Sequence, residues 1–314
     1  MSEELKLKNP WLVAVWPGMG SVALSAGYYM MAKLGMHLMA EFSPRALFEV
    51  EYVEVKSGLI RTGRLPRSRL FVWNDPHEKH DVIVFIGEAQ PPSGKYVFCH
   101  SLVEHARRLG VERVFTFAAM ATQMHPEHPS RVFGASTDEE GLAELKRLEI
   151  ELLENGQIGG LNGLLLGVAA EEGLRGMCLL GEMPHIFDQL PFPKASLAVL
   201  EVFMTIAGIE IDLGELSEQT QAVDQKLGEL LAQIETAMQQ QEHGFESATE
   251  ESFGAEPPPE EPRLSAAEEQ KIEKLFEQAQ RDRSTAYELK RELDRLNVFK
   301  DYEDRFLDLF RKPE

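Results

Sequence analysis

Two short apolar runs in this chain end in the same way, on a glycine followed by a glutamate. Residues 82–86 lead into Gly87-Glu88, and residues 177–180 lead into Gly181-Glu182. Continuous apolar runs of this length are typical of strands that are covered on both faces of a sheet. In open α/β sheets, ligands collect at the carboxyl ends of the strands. We therefore predict that the two acids line one shared crevice.

Further strand-like runs alternate with amphipathic segments along the chain. These runs are residues 12–16, 70–73 and 114–118. The segments 22–34 and 96–109 between them are helical in pattern. Between residues 50 and 65, apolar and polar residues alternate around Ser57-Gly58, which predicts a β-hairpin. We predict an α/β fold with a mixed, mostly parallel sheet flanked by helices.

The composition divides the chain into three parts. Residues 1–238 form the predicted α/β domain, and residues 239–264 are rich in Pro and Glu, which predicts a disordered or extended linker. Residues 265–314 form a predicted helical tail that begins with a capping box, Ser265 to Glu268. Since its apolar residues recur on one helical face, the tail needs a partner surface, either on its own body or on another protein.

The chain is strongly acidic, with a net charge of −20. Nucleic acids and anionic membranes are polyanions, so this charge argues against both as partners and favours proteins or small molecules.

The first residues mix charges where a signal peptide would be apolar, and no run approaches the roughly 20 apolar residues of a membrane helix, so we predict a cytoplasmic protein. Cys99 and Cys178 lie in apolar segments, as reduced, buried thiols do.

A glycine-rich turn follows the first strand-like run. Gly18, Gly20 and Ser21 stand between this strand and a helix, at the spacing of a dinucleotide-binding turn that holds a phosphate on backbone N–H groups. Glu41 lies about twenty residues further on, where such folds place a ribose-binding acid. The alternative is a tight strand-to-helix turn with an unrelated surface acid.

Glu88 and Glu182 are candidates for a carboxylate pair that does general acid/base work or holds a hydroxyl group. Gln90, Asn162 and His185 would add neutral hydrogen bonds in the same crevice. The alternative is that each glutamate accepts backbone N–H bonds in the loop after its strand.

Other patterns for chemistry are weak. Two histidine pairs, His77 with His80 and His125 with His128, have metal-ligand spacing but no identified third ligand, so we predict no metal site. The sequence contains no Gly-x-Ser-x-Gly nucleophile elbow and no Walker lysine after a glycine-rich loop.

Several of these motifs occur together in an order that resembles the proteasome assembly chaperone 2 family. The matching segments are Pro17-Gly18-Met-Gly20, Gly87-Glu88-Ala-Gln90-Pro91, Gly159-Gly-Leu-Asn162-Gly163 and Leu179-Leu-Gly181-Glu182-Met-Pro184. The resemblance covers residues 10–235 and implies a fold similar to nucleoside phosphorylases and a homo-oligomer such as a trimer or tetramer. For some members it also implies a role in proteasome assembly. Such members are expected to end in a hydrophobic-Tyr-any tail, whereas this sequence ends Arg311-Lys-Pro-Glu314.

Two functions follow as hypotheses. The first is a protein-binding module without a cofactor, an assembly chaperone that acts as a homo-oligomer and contacts proteasome-related or other proteins through its C-terminal helices. The alternative is an enzyme that binds a nucleoside or a phosphorylated small molecule in the crevice. Phosphate chemistry would require a nearby cation, and the sequence does not assign Arg45, Arg61 or Arg113 to that place.

Overall fold

The structure is a computed structural model that describes residues 7–42, 47–48, 53–56, 58–242 and 264–311. The strands are β1 (Trp11–Val15), β2 (His37–Phe42), β3 (Val53–Lys56), β4 (Leu59–Thr62), β5 (Ser68–Trp73), β6 (Val82–Gly87), β7 (Arg113–Thr122), β8 (Val132–Ser136), β9 (Glu151–Leu152) and β10 (Arg175–Pro184). The helices are α1 (Val22–Lys33), α2 (Lys95–Arg108), α3 (Glu139–Arg147), α4 (Gly160–Glu171), α5 (Pro193–Ala207), α6 (Gly214–Glu242), α7 (Ala266–Arg281), α8 (Ala286–Arg295) and α9 (Phe299–Asp308).

Eight strands form one mixed sheet in the order β2-β5-β6-β1-β7-β10-β8-β9. The four central strands, β6, β1, β7 and β10, are parallel to one another. Antiparallel strands flank them, since β5 pairs with β6, β2 pairs with β5 and β8 pairs with β10. The predicted mixed, mostly parallel sheet is confirmed. We call the edge where the four central strands end the carboxyl rim.

Helices cover both faces of the sheet, as the continuous apolar runs predict. Val13 and Val15 of β1 point into a core that includes α1 and α5, whereas Leu12 and Ala14 point into a second core formed with α2 and α4. Cys99 and Cys178 are free and buried, which confirms that both thiols lie in the core, and burial raises the pKa of each thiol to about 12.

The predicted hairpin is present as a separate two-stranded sheet of β3 and β4. Gly58 has a φ of +77°, which an L side chain rarely adopts, while Ser57 lies outside the described residues. The hairpin joins the end of β2 to the start of β5. Because Ser68 at the start of β5 pairs with Gly87 at the end of β6, the hairpin projects from the carboxyl rim.

The C-terminal helices pack on the chain's own body. Phe306 is fully buried, and its ring lies 5.8 Å from the ring of Tyr28 on α1. Phe310 packs edge-on against Phe71 of β5, and its carbonyl accepts a 2.7 Å hydrogen bond from the N–H of Leu38 on β2. The tail's partner surface is therefore α1 together with the β2–β5 edge of the sheet.

The segment between body and tail is only partly described. Helix α6 continues to Glu242, beyond the predicted start of the linker at residue 239. The remainder of that predicted linker, residues 243–263, lies outside the described part of the chain, as do residues 312–314. The division into domain, linker and tail stays a prediction.

Within the described residues, no helix is both long enough and apolar enough to cross a membrane.

Candidate functional site

A cleft of about 540 Å³ opens at the carboxyl rim between the loop after β1 and the N-terminus of α4. It brings together three of the predicted site residues, Gly18, Gln90 and Asn162. The other five, Gly20, Ser21, Glu88, Glu182 and His185, do not line it. The rim was predicted correctly as the place where polar groups collect, but the prediction of one crevice that holds both glutamates is wrong.

The glycine turn after β1 is packed against protein and does not form a phosphate cradle. The N–H of Gly20 donates to the carbonyl of Asp188 at 2.8 Å, and the N–H of Ser21 donates back to Gly18 at 3.1 Å. A Cβ atom at Gly20 would lie 2.7 Å from the sulfur of Met183. Close packing therefore explains the glycine, in agreement with the alternative interpretation of a tight turn.

Glu41 does not stand where a ribose-binding acid would. Strands β5 and β6 lie between β2 and β1, because β5 enters the sheet antiparallel beside β6. Glu41 instead accepts a 2.9 Å hydrogen bond from Arg67. The distance along the sequence placed Glu41 on the second strand correctly, but it did not show that two other strands separate this strand from β1.

Glu182 is buried and held by one arginine. The guanidinium of Arg131 donates to both carboxylate oxygens at 2.8 and 2.7 Å, and the hydroxyl of Thr122 donates at 2.7 Å. The hydrogen bonds from Arg131 are the largest influence on the pKa of Glu182 and lower it below its ordinary value. A carboxylate held ionised in this way does not serve as a general acid near neutral pH.

Glu88 is satisfied in a similar way by a different group of arginines. It accepts hydrogen bonds from Arg64 at 2.7 Å and Arg69 at 3.0 Å, and from the backbone N–H of Arg67 at 2.9 Å. The backbone bond agrees with the alternative interpretation for this acid. Strands β1 and β7 separate Glu88 from Glu182, which corresponds to about 14 Å at roughly 4.8 Å per strand. The two glutamates therefore do not form an acid/base pair.

The same arginines connect the tail to the rim. Asp304 of α9 contacts Arg64 and Arg67 at 3.4 and 3.1 Å and also bonds Arg69, whose side chain is only 1% exposed. We call Arg64, Arg67, Arg69, Glu88 and Asp304 the arginine cluster. Burial opposes ionisation of Asp304, but hydrogen bonds from Arg69 and Arg67 outweigh it and lower the pKa.

Sequence reasoning missed these arginines, although a signal was present. Arg64, Arg67 and Arg69 occur within six residues directly before and in β5, in a chain with many more acids than bases. A basic cluster in an acidic chain predicts a local partner of opposite charge. It does not identify Asp304 as that partner, since Asp304 lies 235 residues from Arg69 along the chain.

The cleft itself contains amides and no charges. Among the described residues that line it, the polar side chains are Gln90, Asn155, Gln157 and Asn162. Gln90 donates to the carbonyl of Pro17 and accepts from the backbone of α4, both at 3.3 Å. The side-chain oxygen of Asn162 is shielded from solvent and has no hydrogen-bond partner. This lining suits a neutral polar group that donates a hydrogen bond.

The cations that phosphate chemistry would require lie elsewhere. Arg113 is at the start of β7, the opposite end of that strand from the rim, and pairs with Glu144 at 2.7 Å. Arg61 is on β4 of the hairpin, and Arg45 lies outside the described residues. The described cleft therefore offers no charge partner for a phosphate.

His185 and His80 make structural contacts and do not form a site with each other. His185 is exposed, and its ring nitrogen lies 3.2 Å from the carbonyl of Thr122. His80 stacks on Trp11 with ring centroids 3.9 Å apart, and burial lowers its pKa. In the part of the chain that is described, no three His, Cys, Asp or Glu side chains are grouped so that they could hold a metal ion.

The glycine turn, the two Gly-Glu strand ends and the cleft all lie within one region of family similarity. The model of the PAC2 family matches residues 12–231, more than two thirds of the chain. The chain belongs to the PAC2 family. The resemblance predicted from the sequence motifs is thereby confirmed, and the C-terminal helices α7 to α9 lie outside the matched region.

Proteins of known structure and sequence support the same assignment. The archaeal proteasome activator PbaB of Pyrococcus furiosus superposes with a TM-score of 0.62 at 25% identity, over 73% of this chain and 96% of PbaB. PbaA of the same organism, an archaeal homologue of proteasome-assembly chaperone, gives a TM-score of 0.56 at 25% identity, over 74% and 96% of the two chains. The uncharacterised protein MJ1210 of Methanocaldococcus jannaschii is 28% identical over 232 residues, which are 70% of this chain and 82% of MJ1210.

Proposed function

We propose that this chain is a cytoplasmic protein-binding module that acts as a homo-oligomer in the assembly or activation of proteasome-related particles. The observation that carries the proposal is the match over 96% of PbaB, a proteasome activator, at 25% identity. The state of the rim carboxylates supports it, because Glu88 and Glu182 are paired with arginines and lie too far apart for acid/base chemistry.

For the C-terminal helices, the sequence leaves two partner surfaces open, the chain's own body and another protein. The apolar residues of these helices face the chain's own body, so a partner protein would meet only their outer, polar faces. We propose that the tail completes the body and that partner binding uses other surfaces.

Co-sedimentation with a proteasome tests the proposal. The full chain is mixed with the 20S proteasome of its own organism, and separately with isolated α-type subunits, at about 10 μM, where an interaction of micromolar Kd is mostly formed. We expect the chain to move with the particle and to change its peptidase activity or the yield of assembled rings. An unrelated protein of similar net charge is the control. A chain that sediments alone in every mixture and changes neither activity nor yield contradicts the proposal.

The cleft supports a second candidate function, the binding of a neutral polar small molecule such as a nucleoside. The uncharged amide lining of the cleft is the observation that favours it, since the side chains of Gln90, Asn155, Gln157 and Asn162 can both donate and accept hydrogen bonds. Thermal denaturation with nucleosides, NAD and inorganic phosphate tests it. We expect stabilisation by a nucleoside, none by phosphate, and loss of the effect in Asn162→Leu. If no nucleoside stabilises the protein, the cleft has no such role.

A further inference from the structure

Exposed apolar side chains are concentrated at one end of the molecule. The described residues include ten large hydrophobic side chains that are exposed, and nine of them lie in the hairpin, in the loops after β1 and β10, or in the first turn of α2. Four belong to the hairpin: Val53, Val55, Leu59 and Ile60. Scattered exposed apolar residues are ordinary, whereas a group of them at one place marks an interaction surface.

The other five residues follow the central strands. They are Met19 after β1, Tyr96 and Val97 in the first turn of α2, and Ile186 and Leu190 after β10. The loops after β1 and β10 touch, since the N–H of Gly20 donates to the carbonyl of Asp188. Met19, Ile186 and Leu190 therefore form an apolar patch beside the cleft.

The hairpin presents one apolar face. Of these four side chains, Val53, Val55 and Ile60 lie on one face and Leu59 lies on the other, because the register pairs Val53 with Thr62, Val55 with Ile60 and Lys56 with Leu59. All four are exposed, with Ile60 at 73%. A two-stranded sheet is marginal in water unless something packs on it, and in the described part of the chain the eight-stranded sheet does not pair with this one.

The charge of the chain limits which partner fits this face. Two copies that each carry −20 repel one another over most of their surfaces. Residues 53–62 are an exception, because they contain one acid, Glu54, against two bases, Lys56 and Arg61. By sequence this segment is less acidic than the rest of the chain, so two copies should repel one another less here.

The position and size of the surface also fit a second copy. In a two-fold interface each copy supplies the same surface. The two parts that contact each other must therefore both lie on that surface, at the same end of the molecule. The hairpin face and the rim patch meet this condition. The three side chains of the hairpin face and the three of the rim patch, at roughly 100 Å² each, would bury about 600 Å² per copy, which is the lower limit of roughly 600 Å² per partner for a standard interface.

We propose that two copies of this chain pack end to end through the carboxyl rim, with the hairpin of each copy lying against the rim patch of the other. This inference rests on the homo-oligomer of the proposed function and assigns its surface. A two-fold dimer of this kind can be a unit of a tetramer but not of a trimer.

Sedimentation velocity on the purified full chain tests the interface. We expect the parent chain to show a mass of two or four times 35.4 kDa. Ile60→Asp should raise the dissociation constant of the two-fold contact by more than about ten-fold, because it buries an unpaired charge in an apolar interface. Thr205→Asp is the control, since Thr205 is exposed on the last turn of α5, at the end of the sheet opposite the rim. Circular dichroism checks that both variants are folded.

A parent chain that is monomeric, or an oligomer that Ile60→Asp and Thr205→Asp affect equally, overturns the proposal. Cross-linking tests the arrangement separately, with Ile60→Cys in one copy and Ile186→Cys in another joined by a short bismaleimide. The native cysteines are buried and should not react. We expect a mixed dimer, and its absence overturns the arrangement. Neither experiment contains a proteasome. The proposed function can therefore be contradicted while the interface is supported, and the interface can be contradicted while the function is supported.

Discussion

The hairpin and the C-terminal tail are both additions to the sheet with an apolar face, but among the described residues only the tail has a partner within the chain. Phe306 and Ile272 of the tail are fully buried. Val55 and Ile60 of the hairpin are 65% and 73% exposed. The sequence predicted a need for a partner in the tail and only an interruption in the hairpin. The difference shows the limit of the sequence pattern. An apolar face indicates that a partner surface exists, but it does not identify the molecule that provides that surface.

The largest expected effect on stability concerns the tail, which packs on the chain's own body. Phe306→Ala removes a ring that packs against Tyr28 and Phe299, and a buried Phe→Ala change costs about 3–5 kcal/mol. Urea titration should show this loss in the free energy of unfolding. A loss below about 1 kcal/mol would mean that the tail is not docked in solution.

Removal of the charge from Asp304 should have a smaller effect. Asp304→Asn keeps the shape of the side chain but weakens the bonds to Arg67 and Arg69, for which we expect a loss of about 1–2 kcal/mol, since Asp304 is 39% exposed and partly screened by solvent. Asp301→Asn, one turn earlier on α9, is the control and should cost only a few tenths of a kcal/mol. Equal losses in the two urea titrations would show that the arginine cluster does not hold the tail.

Acid should weaken the same contact. The pKa of Asp304 is lower in the folded chain than its ordinary value, so its contribution is complete above the ordinary aspartate pKa and is lost as the pH falls through the folded value. The difference in unfolding free energy between the parent and Asp304→Asn should therefore be largest near pH 7 and shrink below about pH 4. A difference that is constant across this range would exclude titration of Asp304 as its source.

The smallest effect should come from the hairpin. Ile60→Ala is expected to change the stability of the single chain by less than about 0.5 kcal/mol, because the side chain contacts mainly solvent there. The matched change Ile272→Ala in the tail should cost about 2–5 kcal/mol. Both are compared by urea titration at a protein concentration where the chain is monomeric. Similar losses for the two isoleucines would remove the distinction between hairpin and tail.

Much of the fold was predictable because its cause is local. Strands β1 and β6 are continuous apolar runs that are buried on both faces, and Gly58 allows the turn of the hairpin. The order of motifs along the chain added the family, and with it the fold class. These features depend on neighbouring residues, so periodicity and turn chemistry detect them.

The candidate site was only partly predictable, because the residues that pair with one another in it are far apart along the chain. Glu88 and Glu182 lie at the rim as predicted, but the register of the sheet keeps them apart. The partner of Arg69 is on α9, and no spacing in the sequence indicates it. Gly18, Gln90 and Asn162 were placed together correctly, since each ends or begins an element at the same edge of the sheet.

Hydrogen exchange at several protein concentrations tests the central distinction most directly. The amides of α8 and α9 should be protected to the same extent at every concentration, because their partner surface is in the same chain. The amides of β3 and β4 should gain protection as the concentration rises and copies associate. Tail protection that depends on concentration, together with hairpin exchange that does not, would contradict the account.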